Sequence, residues 1–585
     1  MMDRFSRDLT FGAQYLGRGR TRFRFWAPSQ KNVRLILGGG EIAMAAQPGG
    51  WFAVEAECGP GTRYRFRLDD GMAVPDPASR AQAEGVHGPS VVVEPLAYTW
   101  RNPNWRGRPW RETVLYELHA GAMGGFAGVE RDLPRLARLG ITAIELMPLN
   151  DFPGARNWGY DGVLPYAPAH AYGAPDELKA LIDAAHGLGL MVFLDVVYNH
   201  FGPDGNYLSV YAPAIFHRDA HSGWGAALDF SAPELRRFFA ENALYWLMEY
   251  RFDGLRFDAV HAIGDRSWLT ETAAEIRRTV EPGRHVHLVV ENDNNDAGLL
   301  SGAFDAQWND DGHHALHVLL TEERDGYYAD YADNPAERLA RCLRDGFIYQ
   351  GEPSPYRGGK RRGEPSGKLP PTAFVLFLQN HDQIGNRPFG ERLTVLADPA
   401  ALDAALTLVL LAPSIPMLFM GEETASATPF LYFTDHHGEL AALVREGRRR
   451  EFASFAGFSD PAIRDRIPDP NDEATFRASL PCPDTAQGGA RLVLVETLLR
   501  LRRERVVPVL DGATAIDAAA IGAAAVTARW RMGDGAIMTL AANFGDAPVR
   551  LGAIDGAKLF ESREGAARDV VLAARAAAAF WRPAS

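Results

Sequence analysis

The residues of this chain that could do acid–base or covalent chemistry fall in four short clusters, each at the end of an apolar run. The first, DVVYNH, carries Asp195, Asn199 and His200. The second, GLRFDAVH, carries Arg256, Asp258 and His261, and the third, VVEND, carries Glu291. The fourth, LQNHDQIGN, carries His381, Asp382, Gln383 and Asn386. Arg256 and Asp258 stand two residues apart, so on a strand they share a face and leave Leu255 and Phe257 on the other. A guanidinium beside a carboxylate favours its ionised form, the state a carboxylate nucleophile needs. Glu291 follows the apolar run 287–290 and is expected to be partly desolvated, with other carboxylates near. Both effects raise a carboxyl pKa and favour the protonated acid. Two carboxyl groups whose pKa values are pushed apart are what cleavage of a glycosidic bond requires.

Any one of these residues alone could be a helix cap or a buried structural histidine. Four such clusters in one chain argue for a single constellation. Asp195, His200, His261 and Asp382 could instead ligate a cation, but they lack the short regular spacing of metal motifs. No metal and no cofactor is expected.

The elements that must position these clusters are legible as eight apolar runs. They are Val114–Leu118, Ala143–Leu149, Met191–Val197, Gly254–Val260, Val286–Glu291, Phe304–Trp308, Phe374–Leu378 and Met417–Met420. Amphipathic stretches such as Pro175–Leu188 and Pro233–Tyr250 lie between several of them. That alternation predicts an α/β fold, a (β/α)8 TIM-type barrel, whose strand ends converge on one pocket. Residues 1–98, with short runs separated by Gly/Pro turns, predict an immunoglobulin-like β-sandwich. Pro95–Trp110 reads as a linker, and the barrel unit is expected to span 99–505. Within it, 199–231 lacks a clear pattern and reads as an excursion from the rim. Gly351–Pro371 reads as a loop whose Lys360, Arg361 and Arg362 are solvated. Residues 506–585 predict a small C-terminal β domain.

Bulk properties bound the function classes. The chain has 585 residues, 46% hydrophobic and 23% charged, with a formal net charge of −13. An acidic surface argues against nucleic acid as a partner and suits a neutral substrate. Cys58, Cys342 and Cys482 have no paired short spacing, which excludes a disulfide scaffold and fits a reducing cytoplasm. The N-terminal residues show no apolar core of a signal peptide. The longest apolar stretch, Ala405–Met420, is broken by Pro413 and Pro416 and reads as a buried helix running into a buried strand, so no membrane span is expected. A cytoplasmic enzyme is the expectation.

At the four clusters the sequence resembles the α-amylase superfamily, whose hallmark segments match DVVYNH, GLRFDAVH, VVEND and QNHDQ. The resemblance implies a retaining glycoside hydrolase with Asp258 as nucleophile and Glu291 as general acid/base. Asp382 would bind sugar hydroxyls and stabilise the transition state. Arg256, His200 and His381 would line the subsite of the attacked glucose. Tyr160, in NWGYDG, would be its stacking aromatic. Over most of residues 110–480 a closer likeness appears. Runs such as NWGYDGVLPYAPAHAYG, DAQWNDDGHHALHVLLT, FLQNHDQIGNRPFGERL and PFLYFTDHHGEL resemble the malto-oligosyltrehalose trehalohydrolases. That likeness implies cleavage of the α-1,4 bond next to a terminal trehalose, with release of trehalose. It also implies a maltooligosyl trehalose substrate supplied by a maltooligosyl trehalose synthase. One departure is Gly312, where the likeness leads one to expect a bulky aromatic.

The segment WNDDGHH offers Asn309, Asp310, Asp311, His313 and His314 as readers of sugar hydroxyls on the trehalose side, the alternative being that His313 and His314 cap the next helix. Trp224 and Trp308 are candidates for stacking on sugar faces. His261, Gln383 and Asn386 complete the expected substrate contacts. The alternative functions are a glycogen branching or debranching enzyme, or a non-catalytic glucan-binding protein.

Overall fold

The eight apolar runs form eight parallel strands that close on themselves. The computed structural model that shows this describes residues 5–222, 225–452, 460–482, 488–552 and 554–584. In barrel order the strands are β1 (Leu115–Leu118), β2 (Ala143–Leu146), β3 (Met191–Val196), β4 (Gly254–Phe257), β5 (His287–Val290), β6 (Ala306–Trp308), β7 (Phe374–Phe377) and β8 (Ile415–Phe419). Several expected runs overshoot the strand at its C-terminal end. There the chain must turn out of the barrel, as at Ala259, whose φ of 39° is incompatible with a strand.

Alternation along the strands sorts the barrel interior into layers. Leu115, Ala143, Phe193, Val289, Trp308, Val375 and Met417 belong to one apolar cluster inside the barrel. Two residues further along β1, β2, β3 and β4 the same face carries Glu117, Glu145, Asp195 and Arg256, all buried. A charged layer thus lies directly beneath the barrel mouth. The helices outside begin where their sequences dictate. Pro175, Pro233 and Pro399 each open a helix at a position where a missing N–H costs nothing. Asp398 caps the last of these by accepting from the N–H groups of Ala400 and Ala401. That helix, Pro399–Leu411, runs into β8 as the apolar stretch implied.

Before the barrel, two antiparallel sheets face each other. Arg20–Trp26 and Trp51–Glu57 lie at the centre of one, Arg34–Leu37 and Arg63–Arg67 at the centre of the other. Phe25 and Phe66 stack between them with ring centroids 4.2 Å apart. The rim excursion contains a short helix, Leu208–Tyr211, and a hairpin of Phe216–Ser222 and Gly225–Leu228. It docks on the sandwich: Tyr211 packs on Phe25 at 4.7 Å, and its carbonyl accepts from Ser29 N at 3.2 Å. The stretch read as a linker is fastened under the barrel. Arg101 N and Asn102 N donate to Asp183, and Trp105 Nε1 donates to Asp253 at 2.9 Å.

The loop 351–371 departs from expectation. Glu352–Ser354 and Lys360–Arg362 pair as a hairpin. Lys360 and Arg361 are exposed, but Arg362 is buried. Its guanidinium donates to the Tyr331 hydroxyl at 2.5 Å and lies 2.9 Å from Asp311 Oδ1. Asp311 is fully buried, and a buried carboxylate needs a cation, which is why this arginine turns inward. After the barrel, a five-stranded antiparallel sheet is built around Ala525–Arg531, Ile537–Asn543 and Ala576–Arg582. Among the described residues no helix is long and apolar enough to cross a membrane.

Candidate active site

The height of the key carboxyl groups is set by strand register. Phe257 on β4 pairs with Val290 on β5, so Asp258 and Glu291 each stand one residue past their strands at the same level. Backbone bonds fix that level: Asp258 N donates to Val196 O at 3.1 Å, and Glu291 N donates to Phe257 O at 2.9 Å.

Arg256 organises the floor. Its Nη1 donates to Asp258 Oδ1 at 2.8 Å and to Asp195 Oδ2 at 2.5 Å, and its Nη2 lies 3.8 Å from Glu291 Oε2. Its guanidinium lies over the Trp308 ring, 4.1 Å from the centroid. The other oxygen of Asp258 accepts from Asn199 Nδ2 at 3.0 Å, so both carboxylate oxygens are held by donors. Glu291 is different. Burial pushes its pKa up to about 8; Arg256 opposes that rise, and the charges of Asp258 and Asp310 add to it. A carboxyl group in that condition is protonated at neutral pH and can act as an acid. Burial likewise pushes Asp195 up to about 6 despite Arg256.

From β7, His381 and Asp382 enter at the opposite side of the mouth. His381 Nδ1–H donates to Glu117 Oε1 at 2.5 Å, and its ring stacks on Tyr160 with centroids 5.0 Å apart. Tyr160 donates its hydroxyl to Asp195 Oδ2 at 2.5 Å. Asp382 accepts from Asn386 Nδ2 at 2.6 Å. His200 Nε2–H donates to the Tyr160 carbonyl at 2.9 Å.

These residues line one cleft of about 830 Å³. Tyr160, His200, Arg256, Asp258, His261, Glu291, His381, Asp382 and Asn386, of those expected from the sequence, are all on its walls. Five others are not. Gln383 is buried and accepts from Tyr327 at 3.1 Å. Asp310 sits half-buried at the start of the helix Asp310–Thr321, where the Asp382 carboxylate adds to the burial that pushes its pKa up to about 7. Asp311 is a correction: its oxygens are taken by Tyr331, Asn295 Nδ2, Arg362 and the N–H groups of Ile348 and Tyr349. His313 and His314 are corrections too. His313 is buried with Nδ1–H on the Leu378 carbonyl, and His314 is packed against Tyr327 and Tyr331. Neither caps the helix; Asn309 does, accepting from Gly312 N.

Trp308 lies in the core beneath Arg256 rather than against a sugar. Trp224 lies outside the described residues. Gly312 faces inward: a Cβ there would stand 2.6 Å from Leu376 Cδ1 and 3.2 Å from Cys342 Sγ. An aromatic wall of the cleft could not be built from that position.

Sequence reasoning missed Glu117 and Glu145, each hidden as one acidic residue in an apolar run (LYEL, AIEL). It also missed the wall formed by Trp158, Tyr432, His436 and the helix Gly438–Glu451, which presents Leu440, Leu443 and Val444 to the cleft. A polar or apolar residue far from the motifs carries no local signal of facing them. Among the described residues no cluster of His, Cys, Asp and Glu is arranged to hold a metal ion.

Comparison with known proteins places this geometry. The alpha amylase catalytic domain model matches residues 96–212, and a domain-of-unknown-function model, DUF3459, matches 513–581. A malto-oligosyltrehalose trehalohydrolase of Deinococcus radiodurans is 44% identical over 83% of this chain and 82% of its own length. One of Saccharolobus solfataricus is 42% identical over 76% of this chain and 80% of its own. A crystal structure from Salmonella typhimurium, provisionally described as an alpha amylase, superposes with a TM-score of 0.92 at 44% identity. That match covers 98% of this chain and 100% of the other.

Proposed function

The chain belongs to the malto-oligosyltrehalose trehalohydrolase family of the α-amylase superfamily, and we propose that it hydrolyses the α-1,4 bond beside the terminal trehalose of a maltooligosyl trehalose. In this reading Asp258 attacks the anomeric carbon while Glu291 protonates the glycosidic oxygen, and trehalose leaves. A glycosyl ester on Asp258 remains. Water then attacks the same carbon, Glu291 takes its proton, and Asp258 is released with the anomeric configuration retained. Asp382 hydrogen-bonds hydroxyls of the attacked glucose. Tyr160, His200, Arg256, His381 and Asn386 shape its subsite, and His261, on the cleft wall beside them, is a further substrate contact.

The observation that carries the reading is the unequal treatment of two carboxyl groups at one height. Asp258 is held by Arg256 and Asn199, whereas Glu291 is desolvated and keeps its proton until the pH rises to about 8. We take 1–98, 99–505 and 506–585 as the working units, the cytoplasm as the site of action, and a maltooligosyl trehalose synthase as the source of substrate.

A trehalosyl end differs from a reducing end in being bent and lacking an anomeric hydroxyl. A pocket shaped for it leaves polar groups unpaired on a linear end, at about 1–3 kcal/mol each. The test compares kcat/KM for maltotriosyl trehalose and maltopentaose. A ratio of about ten or more is expected. A ratio near one, or branched products, would point to a general amylase or a branching enzyme instead.

A further inference from the structure

Glu117 is one of the buried carboxyl groups that the reaction above leaves without a part. It projects from β1 into the charged layer and is 1% exposed, so no substrate reaches it. Both of its oxygens are committed to one residue: Oε1 accepts from His381 Nδ1–H at 2.5 Å, and Oε2 accepts from His381 N at 3.1 Å. Ring and backbone of His381 are thus clamped by the same carboxylate. Glu117 takes only the Nδ1 side of the ring, and His381 lines the cleft beside Asp382.

The groups facing His381 from every side are few. β4 presents Arg256, the turn after β1 presents His119, and its own segment presents Asp382. The remaining walls are the rings of Trp158, Tyr160 and Trp308. Glu145, next to Glu117 across the β1–β2 register, is buried with no hydrogen bond to either oxygen. Burial, with the neighbouring Glu117 and Asp195, pushes its pKa well up. Burial lowers the pKa of His381 and Arg256 adds to that, but the charge and hydrogen bond of Glu117, together with Asp382, outweigh them and the net shift is upward.

We propose that Glu117 is a positioning residue for this hydrolysis: it fixes the His381 ring and holds it as the imidazolium whose Nε2–H donates to a hydroxyl of the glucose under attack. A neutral imidazole bonded to Glu117 through Nδ1–H would offer only a lone pair at Nε2. The proposal rests on the hydrolase reading for its substrate, but the link between Glu117 and His381 is measurable without any sugar.

The experiment is Glu117→Gln, made in the natural chain and in His381→Ala. The amide can accept from only one of the two N–H groups and carries no charge. In the natural chain kcat/KM should fall by about tenfold to a hundredfold, as for other groups that orient a ligand-binding histidine. In the His381→Ala background the same change should cost less than about threefold, because the partner is gone. Histidine NMR in the absence of substrate, with the His381 signal identified by its loss in His381→Ala, should show its titration moving to lower pH in Glu117→Gln. Glu117→Asp, which keeps the charge, should retain the raised titration and recover part of the rate. It also carries the test if the glutamine variant does not fold. Equal losses in both backgrounds, or an unmoved His381 titration, would overturn the proposal. A moved titration with no loss of rate would overturn it too, since the clamp would then play no part in the hydrolysis, while turnover of the natural chain would leave the hydrolase reading standing.

Discussion

The backbone N–H of Ala259 donates to Glu291 Oε2 at 2.6 Å, from a residue held in the left-handed region immediately after Asp258. The turn that ends β4 therefore ties the two reacting carboxyl groups together. A non-glycine residue at φ 39° stores strain, and strain of that kind persists where the surroundings over-determine it.

Asp258→Asn should abolish turnover and spare binding. The amide keeps the shape and the contact with Arg256 but cannot form the glycosyl ester. We expect kcat to fall by about 10⁴-fold or more, with the dissociation constant for intact substrate, measured by calorimetry, little changed. Near-full activity in the purified variant would remove Asp258 as the nucleophile.

Glu291→Gln should be slow on the natural substrate and partly rescued by substrates with good leaving groups, which depart without a proton. In the natural chain the first step should fade as pH rises through about 8, where Glu291 loses its proton. Equal losses on good and poor leaving groups would contradict the assignment.

The same residue sets a stability dependence with a definite sign. Its folded pKa is raised, so between the ordinary glutamate value and about 8 the folded state binds the proton and the unfolded state does not. Stability contributed by this site therefore falls as pH rises through that window. Glu291→Gln should melt higher than the natural chain at pH 7.5, and the gap should close towards pH 4. A melting difference independent of pH would show that Glu291 is not buried as a neutral acid.

Arg362→Ala should be among the most damaging changes outside the cleft. It removes the cation beside the fully buried Asp311, and breaking such a pair costs about 3–5 kcal/mol. Lys360→Ala, two residues away and exposed, should change urea denaturation by no more than about 0.5 kcal/mol. Equal effects of the two changes would restore the solvated reading of this hairpin.

Gly312 tests the inward orientation of its helix face. Gly312→Ala meets the terminal δ-carbon of Leu376, which a rotamer change can move aside, and gains helix propensity, so stability should change by about 1 kcal/mol or less. Gly312→Phe has no such space and should lose about 3 kcal/mol or more, or fail to fold. A stable phenylalanine variant with altered trehalose selectivity would place this position on the cleft after all.

The eight strands, the barrel they close into and the four clusters at its mouth could be read from the sequence, because each depends on short-range pattern. Period-two alternation puts Arg256 and Asp258 on one face, and a run of apolar residues ending in a carboxylate marks where a strand meets the mouth. What the sequence could not fix is which polar residues turn towards the cleft and which turn into the protein. Asp310 and Asp311 are neighbours in one motif, yet one sits half-buried near Asp382 and the other pairs with Arg362 out of reach of any sugar. Glu117 and His381 lie 264 positions apart and become partners only when β1 and β7 are brought around the same barrel. Side-chain direction at strand ends and the pairing of buried charges are decided by desolvation: a carboxylate removed from water takes whatever donor the closed fold brings within reach, and only the tertiary structure specifies which donor that is.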